Sequence, residues 1–251
     1  MPIHDVTLAD VYHLDFGRRT NDRTTWSSLA DASPPGAVLD VCCGDGRATR
    51  HLVESREVYG VDQDTAFAAL ARSVGIVATQ GEAQRVESLR AAGPRPSLVI
   101  CAYSSLFLLP HRAQVEAIEA MAEVALPNAV VAVEAFVPQM IESRTLDQPV
   151  ENPNGPTLLP WTRRTTYSVD ERSRTTRIER LYGPDPGEWT MRLAEVVYWR
   201  DPDEVGLLFR RAGLLSVESS LRTVGVFDAT GARRLVPVAS DSGMALTVGR
   251  R

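Results

Sequence analysis

The stretch VLDVCCGDGRATRHL, residues 38–52, combines an apolar run with two adjacent cysteines, two carboxylates and two glycines. This order predicts a buried strand over 37–41, a tight turn at the glycines and a helix after the turn. In α/β folds, ligands bind beside turns of this kind, at the carboxyl ends of the strands. The residue types in the turn therefore decide which ligand class the fold can take.

The two adjacent cysteines favour neither a metal site nor a redox pair. Zinc sites usually pair cysteines as C-x2-C with further Cys or His ligands elsewhere, whereas Cys42 and Cys43 are neighbours. The sequence also contains no C-x-x-C motif. Three cysteines are too few for a disulfide framework. We therefore predict no metal site, and we expect all three cysteines to be buried as small apolar side chains.

The turn also departs from a dinucleotide-binding turn. Of the G-x-G-x-x-G pattern only Gly44-x-Gly46 is present, and Thr49 occupies the third glycine position. Asp40 and Asp45 would lie against a diphosphate, which prefers backbone N–H groups and the positive end of a helix. Carboxylates suit instead a nucleoside cofactor that carries positive charge and no phosphate. S-Adenosylmethionine, with a sulfonium and an ammonium group, has this chemistry.

Short apolar runs and helical stretches alternate on both sides of the turn, after a polar and mostly helical segment over 5–32. The clearest helix runs over 111–126, with apolar residues on one stripe. Strand–helix alternation predicts a doubly wound, mostly parallel sheet whose strands are buried on both faces. The predicted strands are 37–41, 58–62, 75–79, 97–103 and 129–136.

The character of the sequence changes after Pro138. A proline-rich segment over 138–160 reads as a loop or lid, and 161–200 reads as an antiparallel three-stranded unit. A helix capped by Asp201 and two final strands, LLSVESSL and MALTVGR, complete the chain. We predict a Rossmann-like, seven-stranded core formed by 1–137 and 201–251. Residues 138–200 would form a loop and antiparallel cap over the substrate site.

The turn resembles that of the class I S-adenosylmethionine-dependent methyltransferases. Their usual pattern is hydrophobic-hydrophobic-Asp-x-Gly-Cys-Gly-x-Gly, and this chain has VLDVCCGDG, with Cys42 at the first glycine position. The resemblance continues, in the expected order, at VYGVDQD, TQGEAQ and CAYSSL. It implies a methyltransferase activity with S-adenosylmethionine as the cofactor.

The resemblance also implies which residues contact the cofactor. Asp62 would accept both ribose hydroxyls, Glu82 and Ala83 would contact the adenine edge, and Ala102 and Tyr103 would border the methionine portion. Arg19, in the N-terminal segment, would pair with the cofactor carboxylate. The complete predicted set is Tyr12, Arg19, Asp40, Cys42, Gly44, Gly46, Asp62, Gln63, Glu82, Ala83, Ala102 and Tyr103.

Several features favour a small-molecule acceptor. The AYSS stretch lacks the (N/D)-P-P-(Y/F) motif of adenine- and cytosine-amino methyltransferases, and the formal charge of −5 gives no reason to expect a nucleic acid partner. The order of elements resembles small-molecule enzymes, including the sugar-amine N-methyltransferases of antibiotic pathways. It implies methyl transfer to O or N of a specialised metabolite by a monomer or homodimer.

A general base is the open question of the predicted site. SSLFLL occupies the segment where several sugar-amine enzymes carry a histidine, so a base is missing there. Three residues that can exchange a proton are the catalytic candidates: Glu134 at the end of the fifth predicted strand, His111 at the start of the helix after the fourth strand, and Tyr103. For each of them, packing or substrate anchoring is the alternative role.

The first ten residues lack an apolar core of a signal peptide, and no apolar run has the length of a membrane span. These observations predict a cytoplasmic protein with no membrane partner.

Two other functions stay open on the same scaffold. One is a cyclase or isomerase of natural-product biosynthesis, and the other is a non-catalytic ligand-sensing module.

Overall fold

The computed structural model describes residues 8–17, 20, 22–137, 142–150, 161–228, 230–238 and 244–251. The chain forms two compact units. The larger unit is Thr20–Pro138 with Arg200–Arg251, and the smaller unit is Met1–Arg19 with Gln139–Trp199.

The helices and strands follow one another in the order that the sequence predicts for a doubly wound core. The helices are α1 (Leu8–Phe16), α2 (Arg23–Ala32), α3 (Thr65–Ser73), α4 (Val86–Ala92), α5 (His111–Val124) and α6 (Pro202–Arg211). The strands of the larger unit are β1 (Val38–Val41), β2 (Val58–Asp62), β3 (Val77–Gln80), β4 (Leu98–Cys101), β5 (Val130–Phe136), β10 (Leu215–Ser220), β11 (Thr223–Phe227), β12 (Arg233–Pro237) and β13 (Met244–Arg250). Those of the smaller unit are β6 (Arg144–Val150), β7 (Trp161–Asp170), β8 (Thr175–Gly183) and β9 (Met191–Tyr198).

The larger unit is built on a seven-stranded sheet of order β10-β13-β5-β4-β1-β2-β3. Strands β1 to β5 are parallel, and β13 pairs antiparallel with both β5 and β10. The near-continuous apolar sequences of β1, β4 and β5 are buried throughout or almost throughout, as expected for strands covered on both faces. The predicted Rossmann-like fold with a seven-stranded sheet is therefore confirmed. Its parallel strands end at one edge, where the motif residues lie.

The segment after the glycine turn differs from the prediction. The sequence predicts a helix there, but the described chain forms turns and only a short 3₁₀ helix, Arg50–Leu52. Thr49 precedes it with φ −120° and ψ −9°, and its hydroxyl donates to the Asp40 carboxylate at 2.6 Å. The backbone N–H groups of Thr49 and Leu52 donate three residues back, to Gly46 and Thr49, which is turn and 3₁₀ geometry rather than α-helical geometry.

A second difference is the hairpin of β11 and β12, which the sequence analysis did not predict. Its buried residues Val224, Val226 and Val236 belong to the main apolar core. The hydroxyl of Thr25 in α2 donates to the carbonyl of Pro237 at 2.8 Å. The hairpin depends on these contacts between distant parts of the chain, which a local pattern does not reveal.

The smaller unit contains an antiparallel sheet of order β6-β7-β8-β9 and the helix α1. The prediction of three strands was wrong by one, because β6 lies within the segment predicted as a loop. Pro149 favoured a loop in the sequence, but β6 is an edge strand, where a missing N–H donor is tolerated. Residues 138–141 and 151–160 of the predicted lid lie outside the described residues. The role of 138–200 as a cap over the substrate site stays a prediction.

Within the part of the chain that the structure describes, every helix is too short or too polar to cross a bilayer.

Candidate active site

The glycine turn after β1 has three residues in the left-handed region. They are Cys42 (φ 58°), Gly44 (φ 54°) and Gly46 (φ 78°). A Cβ on Gly46 would lie 2.6 Å from the Cδ1 of Ile76, so any other residue would have to displace that side chain as well as adopt a left-handed conformation. Cys42 adopts a conformation that favours glycine, which accounts for the glycine of the usual motif at this position.

Asp62, at the end of β2, holds the turn in place. One carboxylate oxygen accepts from the backbone N–H of Gly44 at 2.8 Å, and the other accepts from that of Asp64 at 3.0 Å. Burial raises the pKa of Asp62, although both N–H bonds favour the ionised form. Each oxygen keeps a further lone pair, so the carboxylate can still accept two hydroxyl groups.

Asp40 is buried at the end of β1 and accepts the short bond from Thr49. Burial raises its pKa to about 7, against the opposing effect of the Thr49 hydroxyl. The sequence analysis identified Asp40 but not Thr49 as its partner. No motif marks Thr49 as a partner of Asp40, because the residue is distinguished only by its place one turn after the glycines.

A cavity of about 790 Å³ opens beside the ends of β2 and β3. Among its lining residues are the predicted contacts Gln63 and Glu82, and Ala83 is buried next to Glu82. The Glu82 carboxylate accepts from Arg85 Nε at 2.6 Å and from Gln84 Nε2 at 3.1 Å. The cavity thus offers side chains that can hydrogen-bond to the polar groups of a nucleoside.

The loop after β4 brings two catalytic candidates together. Tyr103 (φ 55°) and Ser104 (φ 62°) are both left-handed, and Ala102 before them is buried. The backbone N–H of Tyr103 donates to Oε2 of Glu134 at 2.9 Å, and that of Ser104 donates to the Glu134 carbonyl at 2.9 Å. Burial raises the pKa of Glu134 to about 7, although the Tyr103 bond favours the ionised form. The geometry thus makes Glu134 an anchor for this loop.

The remaining predicted residues lie elsewhere. His111 begins α5, and its carbonyl accepts from Arg200 Nη2 at 3.0 Å. Tyr12 belongs to α1 of the smaller unit, where its ring centroid lies 4.6 Å from that of Phe16. Arg19 lies outside the described residues. The roles of these three residues, like those of the other predicted contacts, stay predictions.

The structure adds a buried cation that the sequence analysis missed. Arg47 Nη1 lies 2.8 Å from Oδ1 of Asp22, and the indole N–H of Trp26 donates to the other Asp22 oxygen at 3.1 Å. The guanidinium carbon of Arg47 lies 4.6 Å from the centroid of the Tyr103 ring. Asp22 and Arg47 are far apart in sequence, so no local pattern could have paired them.

Negative charge exceeds positive charge at this edge of the sheet. Asp40, Asp45, Asp62 and Glu134 are all buried, whereas the buried guanidinium of Arg47 is already paired with Asp22. The described residues contain no group of three or more His, Cys, Asp and Glu side chains arranged to hold a metal ion. An edge of this charge attracts an organic cation and repels a diphosphate.

Comparison with known proteins gives one family match. Residues 38–128 match a family model described as a methyltransferase domain. No curated protein matches the sequence at a significant level. The matched segment covers β1 to α5 and therefore includes the glycine turn, Asp62, Glu82 and Tyr103.

Solved structures share the fold across nearly the whole chain. The CcbJ methyltransferase from Streptomyces caelestis is 21% identical, with 97% of this chain and 96% of that chain covered and a TM-score of 0.74. CalS10 from Micromonospora echinaspora is 20% identical, with coverage of 94% and 92% and a TM-score of 0.67. KedS8 from Streptoalloteichus is 16% identical, with coverage of 98% and 93% and a TM-score of 0.67. At these identities the likeness shows the fold, and together with the family match it confirms the predicted resemblance.

Proposed function

We propose that this chain is an S-adenosylmethionine-dependent methyltransferase and that it methylates a nitrogen or oxygen atom of a small specialised metabolite in the cytoplasm. Of the two atoms, nitrogen has the better support. The observation that carries the proposal is the excess of buried carboxylates around a glycine turn beside an open cavity of about 790 Å³. A monomer or homodimer without a nucleic acid or membrane partner remains part of the proposal.

The residues at the sheet edge fit the cofactor. Asp62 offers two oxygens for the ribose hydroxyls, and Gln63 and Glu82 line the cavity where the adenine would lie. Asp40 and Glu134 favour the positively charged methionine end. When bound, S-adenosylmethionine supplies an electrophilic methyl group, and the transfer then depends mainly on alignment and the exclusion of water.

The hydrogen bonds of the buried carboxylates favour an amine acceptor. A hydroxyl group usually needs a base to remove its proton, whereas a neutral amine already presents a lone pair. Asp40 accepts from Thr49, Asp62 accepts from two backbone N–H groups, and Glu134 accepts from Tyr103. Each of them therefore already has a structural role, and none has to act as a base when the acceptor is a neutral amine.

The similar structures support the same preference. CalS10 is described as an amino pentose methyltransferase of calicheamicin biosynthesis, and KedS8 as a sugar N-methyltransferase. A further similar structure, MtfA, is a glycopeptide N-methyltransferase with a TM-score of 0.53. We therefore place an amino sugar or an amine-bearing metabolite first among the acceptors.

Matched acceptors would test this function. The protein is incubated with S-adenosylmethionine and pairs of amino sugars and their hydroxyl analogues, and the products are measured by mass spectrometry. We expect the amine of a pair to gain one methyl group and its hydroxyl analogue to gain none. Methylation of the hydroxyl analogues alone would overturn the preference for nitrogen. Conversion of an acceptor without any methyl gain would favour the cyclase or isomerase.

A further inference from the structure

Arg47 contacts both loops of the predicted cofactor site, although none of the predicted contacts includes it. It directly follows Gly46 in the turn after β1, and its guanidinium lies over the ring of Tyr103 in the loop after β4. We propose that Arg47 is a positioning residue for cofactor binding, which fixes the loop 102–104 against the turn 42–47 by acting through Tyr103 and Glu134. This inference rests on the proposed function, since it concerns the same cofactor site.

The guanidinium of Arg47 is held in one place. Its Nη1 donates to Asp22, and Asp22 in turn accepts from the indole of Trp26, whose side chain is fully buried. The backbone N–H of Arg47 donates to Oδ1 of Asp45 at 3.1 Å, which fixes the main chain at the same residue. A buried guanidinium with its charge balanced by Asp22 is poorly suited to bind an anionic ligand, but it is well suited to support a neighbouring loop.

The loop that Arg47 supports needs restraint. Tyr103 and Ser104 are consecutive non-glycine residues in the left-handed region, which persists only where the surroundings hold it. Among the contacts that hold it are the bonds of Tyr103 N–H and Ser104 N–H to Glu134, the bond of Phe136 N–H to the Ser104 hydroxyl at 2.9 Å, and the cation–π contact with Arg47. Loss of the Arg47 contact removes the restraint that connects this loop to the glycine turn.

Arg47 also acts on Glu134 through its charge. The charged and polar groups that face the Glu134 carboxylate are the Tyr103 N–H from the β4 loop, Asp22 from the start of α2 and Arg47 from the glycine turn. The Tyr103 bond and Arg47 favour the ionised form, and Asp22 opposes it. An ionised Glu134 is the stronger acceptor for the Tyr103 N–H. Arg47 and Glu134 therefore support the same loop, and their effects on cofactor affinity should not be independent.

A double-mutant cycle tests this coupling. The affinity for S-adenosylhomocysteine is measured by calorimetry at about pH 7.5 for the wild-type protein, R47M, E134Q and the double variant. We expect R47M and E134Q each to weaken binding about tenfold. The affinity of the double variant should be at most about threefold lower than that of the single variant with the lower affinity. Losses that multiply, at about a hundredfold in the double variant, would overturn the inference because they indicate independent roles.

Two more variants separate positioning from general stability. Arg56 anchors the end of α2 through carbonyl groups such as those of Ala30 and Pro34, so R56M should lower the melting temperature and leave the affinity for S-adenosylhomocysteine within about twofold.

R47K keeps the charge but has no planar face for the Tyr103 ring, so it should bind S-adenosylhomocysteine at least about threefold more weakly than the wild-type protein does. Unchanged binding by R47K would overturn the inference even if R47M does not fold. Absence of binding by the wild-type protein would overturn the proposed function as well, whereas normal wild-type binding with an unaffected R47M overturns the inference alone.

Discussion

At the scale of single residues, Cys42 has a backbone conformation that favours glycine over a residue with a side chain. It occupies the left-handed region at φ 58°, where a β-branched side chain is a steric outlier. We expect Cys42→Val to be less stable than Cys42→Gly by at least about 2 kcal/mol, measured by denaturant unfolding.

Cys101 provides a matched control, because it is a buried cysteine inside β4. In extended geometry valine is favoured over glycine, so the order of stability should be reversed for Cys101→Val and Cys101→Gly. The same order at both positions would show that the conformation of Cys42 is not the cause.

Glu134 makes the stability of the free protein depend on pH. Its pKa is raised from 4.5 to about 7 by burial, so its contribution is fully present below about pH 4.5 and is lost as the pH rises through about 7. Asp40, raised from 3.8 to about 7, acts in the same direction. Glu134→Gln keeps an acceptor for the Tyr103 N–H and removes the ionisation.

Between about pH 5.5 and 8, we therefore expect the wild-type protein to lose about 2 kcal/mol more of its free energy of unfolding than Glu134→Gln loses. Chemical denaturation at several pH values measures this difference. Glu116→Gln, at a half-exposed position on α5, should reproduce the wild-type curve. Parallel curves for Glu134→Gln and the wild-type protein would contradict the raised pKa.

At the scale of elements, a buried ion pair connects α1 to the antiparallel sheet of the smaller unit. Asp15 of α1 pairs with Arg163 of β7, and the Tyr182 hydroxyl donates to the same carboxylate oxygen at 3.2 Å. Arg163 and Asp15 are 8% and 6% exposed, so removal of one partner leaves an uncompensated buried charge. We expect Asp15→Ala to lower the free energy of unfolding of this unit by about 3–5 kcal/mol.

The neighbouring pair Arg164–Asp147 serves as a control, since its side chains are 36% and 41% exposed. Asp147→Ala should cost less than about 1 kcal/mol, because an exposed pair is screened by water. Similar losses for Asp15→Ala and Asp147→Ala would show that burial of the first pair is not what makes it important.

The helices and strands also differ in how well the sequence predicts them. The ends of the parallel strands were predicted to within two residues, because strands buried on both faces have nearly continuous apolar sequences. The edge strand β6 was missed because its exposed residues and Pro149 resemble a loop. The hairpin β11–β12 was missed because its stability comes from contacts with α2.

At the scale of the whole molecule, the motif residues meet at one edge of the sheet, as the sequence predicts. The order of motifs identified Asp62 and Glu82, since the carboxyl ends of parallel strands meet at one edge. It did not identify Thr49, Asp22 or Arg47, whose roles depend on side-chain contacts between separate segments. Motifs mark the residues that are predicted to contact a ligand, whereas the residues that support them are visible only in the folded chain.

The central claim is that this edge is shaped for a cationic nucleoside, and the affinity of Asp62→Ala for S-adenosylmethionine tests it most directly. Calorimetric titration should show binding by the wild-type protein and at least about tenfold weaker binding by Asp62→Ala, because two ribose hydroxyls lose their acceptors. Equal affinities of the two proteins, or no binding by the wild-type protein, would contradict the claim.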